Sequence, residues 1–442
     1  MYPTNPQTSE RALLVGVELD SVKRRGGPFA YSEREHLAEL GELVRSAGGT
    51  VVETAVQKLP SPTPPYFIGR GKAEELANFA RGSGINLIVF DDELSPAQTR
   101  NLEETFGVKV VDRTGLILDI FAQRAQTREG RLQIELAQLQ YLLPRLTHLW
   151  EHLSRQQGGI GTRGPGETQL EVDRRRVQER ISRLRRELDD VRRIRDVQRT
   201  GRRRHQWPIA ALVGYTNAGK STLLNALTGA HAHVEDKLFA TLDPLTRRLE
   251  LADKQSVLLT DTVGFLRKLP HGLVEAFKAT LEEVSEADLL IHVIDVSHPS
   301  VDEQIAAVEE VLHELKSHEK PRITALNKTD RVAPDNAILG RLMRDQPRVV
   351  AISASTGRGL DDLKSALSAQ LRPMRRLTTL VIPSDKAKLL NHIYESAQVS
   401  RQHYDKGNVH IVAHIPADLY HEVERFVVDD ESPRKSAEEA SV

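Results

Sequence analysis

IAALVGYTNAGKSTLLNALTG, residues 209–229, decides the fold. An apolar run enters a loop bounded by Gly214 and Gly219, and a stretch with helical leucine spacing leaves it. GYTNAGKS (Gly214–Ser221) fits GxxxxGK[ST], with the strand before and the helix after that the motif's mechanism requires. Glycines let backbone N–H groups close round phosphates, Lys220 neutralises charge on the β- and γ-phosphates, and Ser221 reaches Mg²⁺. The expected cradle is therefore Gly214, Tyr215, Thr216, Asn217, Ala218, Gly219, Lys220, Ser221 and Thr222.

Strand and helix patterns keep alternating downstream to about Leu371, in SVLLTDTVG, DLLIHVIDVS, PRITALNKTD and RVVAISAS. Polar residues close each run, as ligand-binding positions do at the carboxyl ends of parallel strands. In DTVG, the Asp261 carboxylate is placed to hold the metal through water and Gly264 to meet a γ-phosphate. In NKTD (Asn327, Lys328, Asp330), the Asp330 carboxylate accepts both N–H groups of a guanine, where adenine would offer an acceptor. Ser353, Ala354 and Ser355 close the base pocket one strand later. Four such elements in this order specify a guanine nucleotide. Between Lys237 and Glu250 a threonine is expected to join Mg²⁺ in the triphosphate state, Thr241 first and Thr246 second. An ordinary strand-capping threonine is the plainer reading of either. Lys220, Thr241 and Gly264 are the expected catalytic groups. Phe265 stands where many GTPases carry a water-orienting glutamine, so unaided hydrolysis is expected to be slow. Asn217 is the type and position that recruits K⁺ in related GTPases, a second cation beside Mg²⁺.

Upstream, Leu132, Leu136, Leu139, Leu143, Leu146, Trp150 and Leu153 alternate four and three apart. Leu170, Val177, Ile181, Leu184, Leu188 and Val191 continue one seam beyond a glycine-rich stretch, predicting an antiparallel helical hairpin kinked at Pro144. Its tip, GGIGTRGPGE, contains a literal GxGxxG, yet it follows a heptad helix rather than a strand, so the dinucleotide reading fails. Glycines there allow close approach to a crowded surface, and Gly159, Gly161, Arg163, Gly164 and Gly166 are candidate RNA contacts. A merely flexible turn is the alternative. Lys+Arg 61 against Asp+Glu 62 nearly cancel, so distribution matters more than the sum. A dense arginine series runs from Arg155 to Arg204, readable either as rRNA phosphate contacts or as a solvated helix face. HLWEH (His148–His152) matches HxxEH, but Trp150 takes the seam position, and surface histidines explain it better than zinc.

The 442 residues exceed one compact core. The expected fold class is multidomain α/β: a parallel α/β domain (1–128), the hairpin (129–206), a phosphate-loop domain (207–372) and a small α+β domain (373–442). In the first, GRGK (Gly69–Lys72) and FDDE (Phe90–Glu93) end strands and admit a second phosphate or metal site, although short acidic loops are common there. The last reads β-α-β-β-α with a loose tail from Asp430. Cysteine is absent, which excludes disulfides and thiolate metal sites. No run reaches membrane-span length, so a cytoplasmic protein is expected, with peripheral membrane association left open.

GYTNAGKS, FATLDP, DTVGF, NKTD and SAS, with GGIGTRGPGETQLE upstream, closely resemble the HflX family of ribosome-associated GTPases. YFIGRGKAEEL, VFDDELSPAQTRNLE and DRTGLILDIFAQRA extend the likeness to roughly residues 11–425. The resemblance implies a GTPase that binds the large ribosomal subunit; GTP and GDP as ligands, Mg²⁺ as cofactor and a monomeric chain are expected with it. It implies that the GTP form splits stalled or idle ribosomes and that the ribosome stimulates hydrolysis. Some members are said to bind ATP through the N-terminal region. Large-subunit assembly, ATP-dependent RNA remodelling, or RNA binding with structural GTP are the alternatives.

Overall fold

The computed structural model describes residues 10–19, 33–149, 169–204, 207–229, 239, 245–252, 255–267, 278–333, 335–346, 348–371, 376–405, 407–415 and 417–431. The chain forms two compact units. One comprises Met1–Val191, Glu235–Asp243 and Lys268–Lys278; the other comprises Arg192–Val234, Pro244–Arg267 and Ala279–Val442.

In the first unit, β1 (Arg11–Leu19), β2 (Thr50–Leu59), β3 (Leu87–Phe90) and β4 (Lys109–Asp112) form a parallel sheet in the order β2-β1-β3-β4. The LIVF of β3 is buried throughout, as a central parallel strand covered on both faces must be. Helices α1 (Glu33–Ser46), α2 (Arg70–Ser83), α3 (Pro96–Phe106) and α4 (Arg113–Arg124) alternate with the strands. Ser95 caps α3 in a reciprocal box with Gln98, and Gly107 ends it in the left-handed region. At the carboxyl end of β4, the buried Asp112 accepts from Gly115 N at 2.8 Å and so starts α4.

The hairpin consists of α5 (Arg128–Leu149) and α6 (Gln169–Arg204), and α5 runs continuously through Pro144. Leu132, Leu136 and Leu139 share one hydrophobic cluster with Leu184, Leu188 and Val191. Arg180 forks onto Glu135 at 2.7 and 2.8 Å. The heptad reading anticipated one apolar stripe on α5, but the helix has a second buried face. Ile134 and Ala137 are buried, Tyr141 Oη donates to Asp112 at 2.8 Å, and Arg145 donates to Leu94 O at 2.8 Å and Asp112 at 3.0 Å. Polar side chains anchor that face, so hydrophobic periodicity could not mark it. Phe239 is buried in this unit against Phe121 of α4, ring centroids 4.5 Å apart.

The second unit holds a six-stranded sheet of β5 (Ile209–Val213), β6 (Leu245–Glu250), β7 (Ser256–Asp261), β8 (Leu289–Asp295), β9 (Arg322–Asn327) and β10 (Val349–Ala351), ordered β10-β9-β8-β5-β7-β6. All pairs are parallel except β6 with β7. Helices α7 (Lys220–Thr228), α8 (Lys278–Glu286), α9 (Val301–Glu314), α10 (Ala337–Asp345) and α11 (Leu360–Leu371) accompany the sheet. One core gathers Leu212, Leu224, Leu259, Ile291 and Leu363; another gathers Ile294, Val301, Leu326 and Leu342. The pattern reading missed β6. Its LTRRLE buries only Leu249, because an edge strand needs little apolar content when its backbone partner is supplied.

The same unit ends in β11 (Arg376–Pro383), α12 (Ala387–Ser396), β12 (Gln398–Asp405), β13 (Asn408–Ile415), α13 (Ala417–Val423) and β14 (Val427–Glu431), an antiparallel sheet ordered β12-β13-β11-β14. Strict alternation in β13 buries Val409, Ile411, Ala413 and Ile415. The expected β-α-β-β-α order is corrected to β-α-β-β-α-β. Asp430 and Glu431, read as loose tail, lie in β14 because β11 offers it an open edge.

Candidate functional site

The phosphate-loop residues stand where β5 meets α7, at the carboxyl end of the sheet's central strands. The loop turns at Gly219, whose φ of +95° suits glycine and whose missing Cβ makes room for the Asn327 amide. Asn217 is exposed with φ +59°, a left-handed position that asparagine tolerates. Lys220 and Ser221 open α7, followed by Thr222. The Lys220 ammonium is buried and donates to Gly214 O at 3.1 Å and Tyr215 O at 2.9 Å. An ammonium has three donors, so a third remains for a phosphate oxygen. Burial lowers its pKa to about 8, opposed by the charge of Asp261.

Ser221 Oγ donates to Asp261 Oδ2 at 2.6 Å. The Asp261 carboxylate is fully buried at the end of β7. A hydroxyl and a carboxylate placed together are hard oxygen donors, which fits Mg²⁺ that keeps most of its waters. Next along the chain, Thr262 Oγ1 donates to Leu212 O at 2.6 Å and ties this segment to β5. Gly264 lies flat on the loop: a Cβ there would stand 2.8 Å from Thr216 Cα and 3.1 Å from Lys220 Nζ. Phe265, where a water-orienting glutamine was sought, is fully buried.

On the base side, buried Asn327 joins three segments. Its Nδ2 donates to Ala218 O at 2.8 Å, and its Oδ1 accepts from Ala354 N at 3.0 Å. Lys328, at φ +62°, pairs with Asp295 at 2.7 Å. Asp330 is exposed and accepts from Ser353 Oγ at 2.6 Å; that bond holds its carboxyl below the usual range. Ser353 Oγ lies 3.1 Å from Ser355 Oγ. The structure thus brings the GYTNAGKS, DTVG, NKTD and SAS residues to one end of one sheet.

Thr246 lies within β6, its hydroxyl 3.0 Å from that of Thr260. Thr241 falls outside the described residues, as do Gly159, Gly161, Arg163, Gly164 and Gly166. His148 lies in α5, while Trp150 and His152 are outside the described residues. Among the described residues, no group of three His, Asp or Glu is placed to hold a metal ion. In the N-terminal domain, GRGK opens α2 instead of ending a strand, with Lys72 pairing with Glu75 at 2.7 Å, and buried Asp91, next after β3, pairs with Arg113 at 2.6 Å. Arg113 also pairs with Glu39, so two carboxylates share one guanidinium there. Sequence reasoning missed Asp295, although a carboxylate closing LLIHVID was a signal. It also missed the tether of Thr262 to Leu212, for which no local signal exists.

Family models match most of the chain. Their descriptions are GTP-binding GTPase N-terminal (residues 34–122), GTP-binding GTPase Middle Region (124–202), 50S ribosome-binding GTPase (209–328) and HflX C-terminal domain (338–438). The chain is 48% identical over 419 residues to GTPase HflX of Caldanaerobacter subterraneus subsp. tengcongensis, covering 95% of this chain and 94% of that one. It is 45% identical over 385 residues to GTPase HflX of Escherichia coli (strain K12), covering 87% and 90%. A solved structure described as the SsGBP and GDP complex is 27% identical, covers 82% of this chain and 98% of that one, and superposes with a TM-score of 0.47.

Proposed function

The chain belongs to the HflX family of GTPases, and on that premise we propose that it binds the large ribosomal subunit and, with GTP bound, splits stalled or idle ribosomes into subunits. It is a GTP-hydrolysing enzyme; hydrolysis then drives its release. The observation that carries the ribosome reading is α6, whose Arg174, Arg175, Arg176 and Arg183 are exposed on a helix continuous with further arginines to Arg204. Such a series fits phosphate backbones, whose contacts are dominated by arginine and lysine. The match to a model described as a 50S ribosome-binding GTPase points the same way.

In the proposed chemistry, loop amides from Asn217 to Ser221 hold the β-phosphate and the Lys220 ammonium donates its third hydrogen bond to a β/γ oxygen. Ser221 and Asp261 would hold Mg²⁺, which supplies charge neutralisation on the transferring phosphoryl group. Thr241 is the proposed additional metal ligand of the GTP state, Gly264 N–H the proposed γ-phosphate contact, and Asn217 the proposed K⁺ recruiter. Asp330 reads the guanine edge while Ser353, Ala354 and Ser355 wall the pocket. Buried Phe265 cannot orient water, so turnover waits on the ribosome. A cytoplasmic setting goes with that partner, and among the described residues no helix is long and apolar enough to cross a membrane.

Sedimentation of vacant ribosomes with the protein and a non-hydrolysable GTP analogue, GTP or GDP tests this. Subunits are expected with the analogue and whole ribosomes with GDP. Whole ribosomes under every condition would remove the splitting role and leave the GTPase.

A further inference from the structure

We propose that Thr216 is a catalytic residue of GTP hydrolysis: its hydroxyl holds the attacking water against the γ-phosphate, the task that Phe265 cannot perform.

The phosphate-loop motif asks only for backbone at this position and leaves the side chain free. The hydroxyl of Ser221 is engaged by Asp261, that of Thr262 by Leu212 O and that of Ser353 by Asp330. Thr216 differs. It is 5% exposed, and its Oγ1 is buried with no hydrogen-bond partner among the described residues. An unpaired buried hydroxyl is destabilising, and a valine of the same shape would avoid the penalty. The threonine is therefore explained by something its hydroxyl meets when substrate is bound.

The surroundings of Thr216 identify that partner. Its N–H donates to Phe265 O at 2.8 Å, which fixes the loop against the residue after Gly264. A Cβ on Gly264 would stand 2.8 Å from both Cα and Cγ2 of Thr216, and 3.1 Å from Lys220 Nζ. The threonine, the ammonium and the Gly264 backbone thus converge on one place. With the phosphates held as described above, the γ-phosphate lies there, between Lys220 and Gly264 N–H. A hydroxyl both accepts and donates, so Oγ1 can accept a hydrogen bond from water while donating its own to a γ-oxygen. Phe265 and Leu266, both buried, close this side of the site to other waters.

In the step itself, the water oxygen bonds to the γ-phosphorus as the bond from that phosphorus to the β–γ bridging oxygen breaks. The electron pair of the broken bond stays on the bridging oxygen, and the water passes one proton to a γ-oxygen. GTP and water therefore leave as GDP and dihydrogen phosphate. Thr216 orients the water and neither gains nor loses a proton overall.

The test uses the full chain with Mg²⁺ and compares wild type, Thr216→Val and Thr216→Ser in single-turnover GTP hydrolysis. Affinities for a fluorescent GDP and a fluorescent non-hydrolysable GTP analogue are measured beside it. Thr216→Val keeps the shape without the hydroxyl; hydrolysis is expected to fall about tenfold or more while both affinities stay within about threefold. Thr216→Ser keeps the hydroxyl without the methyl and is expected to recover most of the rate. A smaller fall in Thr216→Val overturns the proposal. So does equal slowing of Thr216→Ser, which would assign the effect to methyl packing, or an equal loss of analogue affinity, which would make the hydroxyl a binding group only. Should Thr216→Val fold poorly, Thr216→Ala, smaller and also without a hydroxyl, carries the same reading. The inference rests on GYTNAGKS holding the phosphates. Failure of the wild-type chain to bind either nucleotide would refute that premise, a result distinct from a Thr216→Val protein that hydrolyses GTP as wild type does.

Discussion

The hydroxyl of Ser221 donates to the carboxylate of Asp261 across 2.6 Å, so the first turn of α7 meets the last residue of β7. Both groups belong to different strand–helix units, and sheet order alone makes them neighbours. Asp261→Asn keeps the shape and removes the charge. Single-turnover GTP hydrolysis should fall by about two orders of magnitude or more, and GDP affinity should lose its dependence on Mg²⁺. Hydrolysis within tenfold of wild type would rule this carboxylate out of metal binding.

Burial lowers the Lys220 pKa to about 8, penalising the ammonium more than Asp261 supports it. Phosphate needs the charged form. GDP affinity should be flat below pH 8 and fall about tenfold per unit above it, as the lysine must first take up a proton. Calorimetry at pH 9 in two buffers of different ionisation enthalpy should register that uptake. For folding the sign is opposite: the burial penalty is full below 8 and fades as pH rises toward 10.5, the unfolded value.

Asp330 and Ser353 offer a test of base choice. Asp330→Asn presents an amide donor and one acceptor, which suits xanthine better than guanine. GTP affinity should drop about 100-fold or more while xanthosine nucleotides gain. Ser353→Ala should raise the Asp330 pKa, since the hydroxyl bond is the main cause of its depression, and so move the acid limit of GDP binding upward. Identical acid limits in the two proteins would contradict that assignment.

His292 is a cost at low pH. It lies fully buried in β8 opposite Thr324, and burial, with Arg322 and Lys220 nearby, lowers its pKa to about 3. The folded value lies below the unfolded 6.5, so its stability contribution is intact above 6.5 and is lost as pH falls from there toward 3. The expected slope is about 1.4 kcal/mol per pH unit, or about 2 kcal/mol between pH 6.5 and 5. Urea unfolding of wild type and His292→Leu at those two pH values isolates this group; equal losses would assign the acid sensitivity elsewhere.

The nucleotide motifs were legible because each obeys a local rule. An apolar run makes a buried strand, and the polar residues that stop it fall at the strand's carboxyl end. GYTNAGKS, DTVG, NKTD and SAS could therefore be located, ordered and assigned chemistry from the chain alone, as could the seam joining Leu132 to Leu188. Edge strands β6 and β14 were not legible, since a strand paired on one side needs few apolar residues. The second buried face of α5 escaped because Tyr141 and Arg145 anchor it with polar groups, which periodicity counts as exposed.

Only tertiary structure decided which atoms meet. Asn327 and Ala218, 109 positions apart, touch because β9 and β5 flank β8, and Thr262 reaches Leu212 because β7 lies beside β5. Residue type and spacing specify what each strand end offers a ligand. Sheet order specifies what those ends offer one another, and it is set by burial summed over whole strands and helices, a quantity that no short stretch of sequence contains.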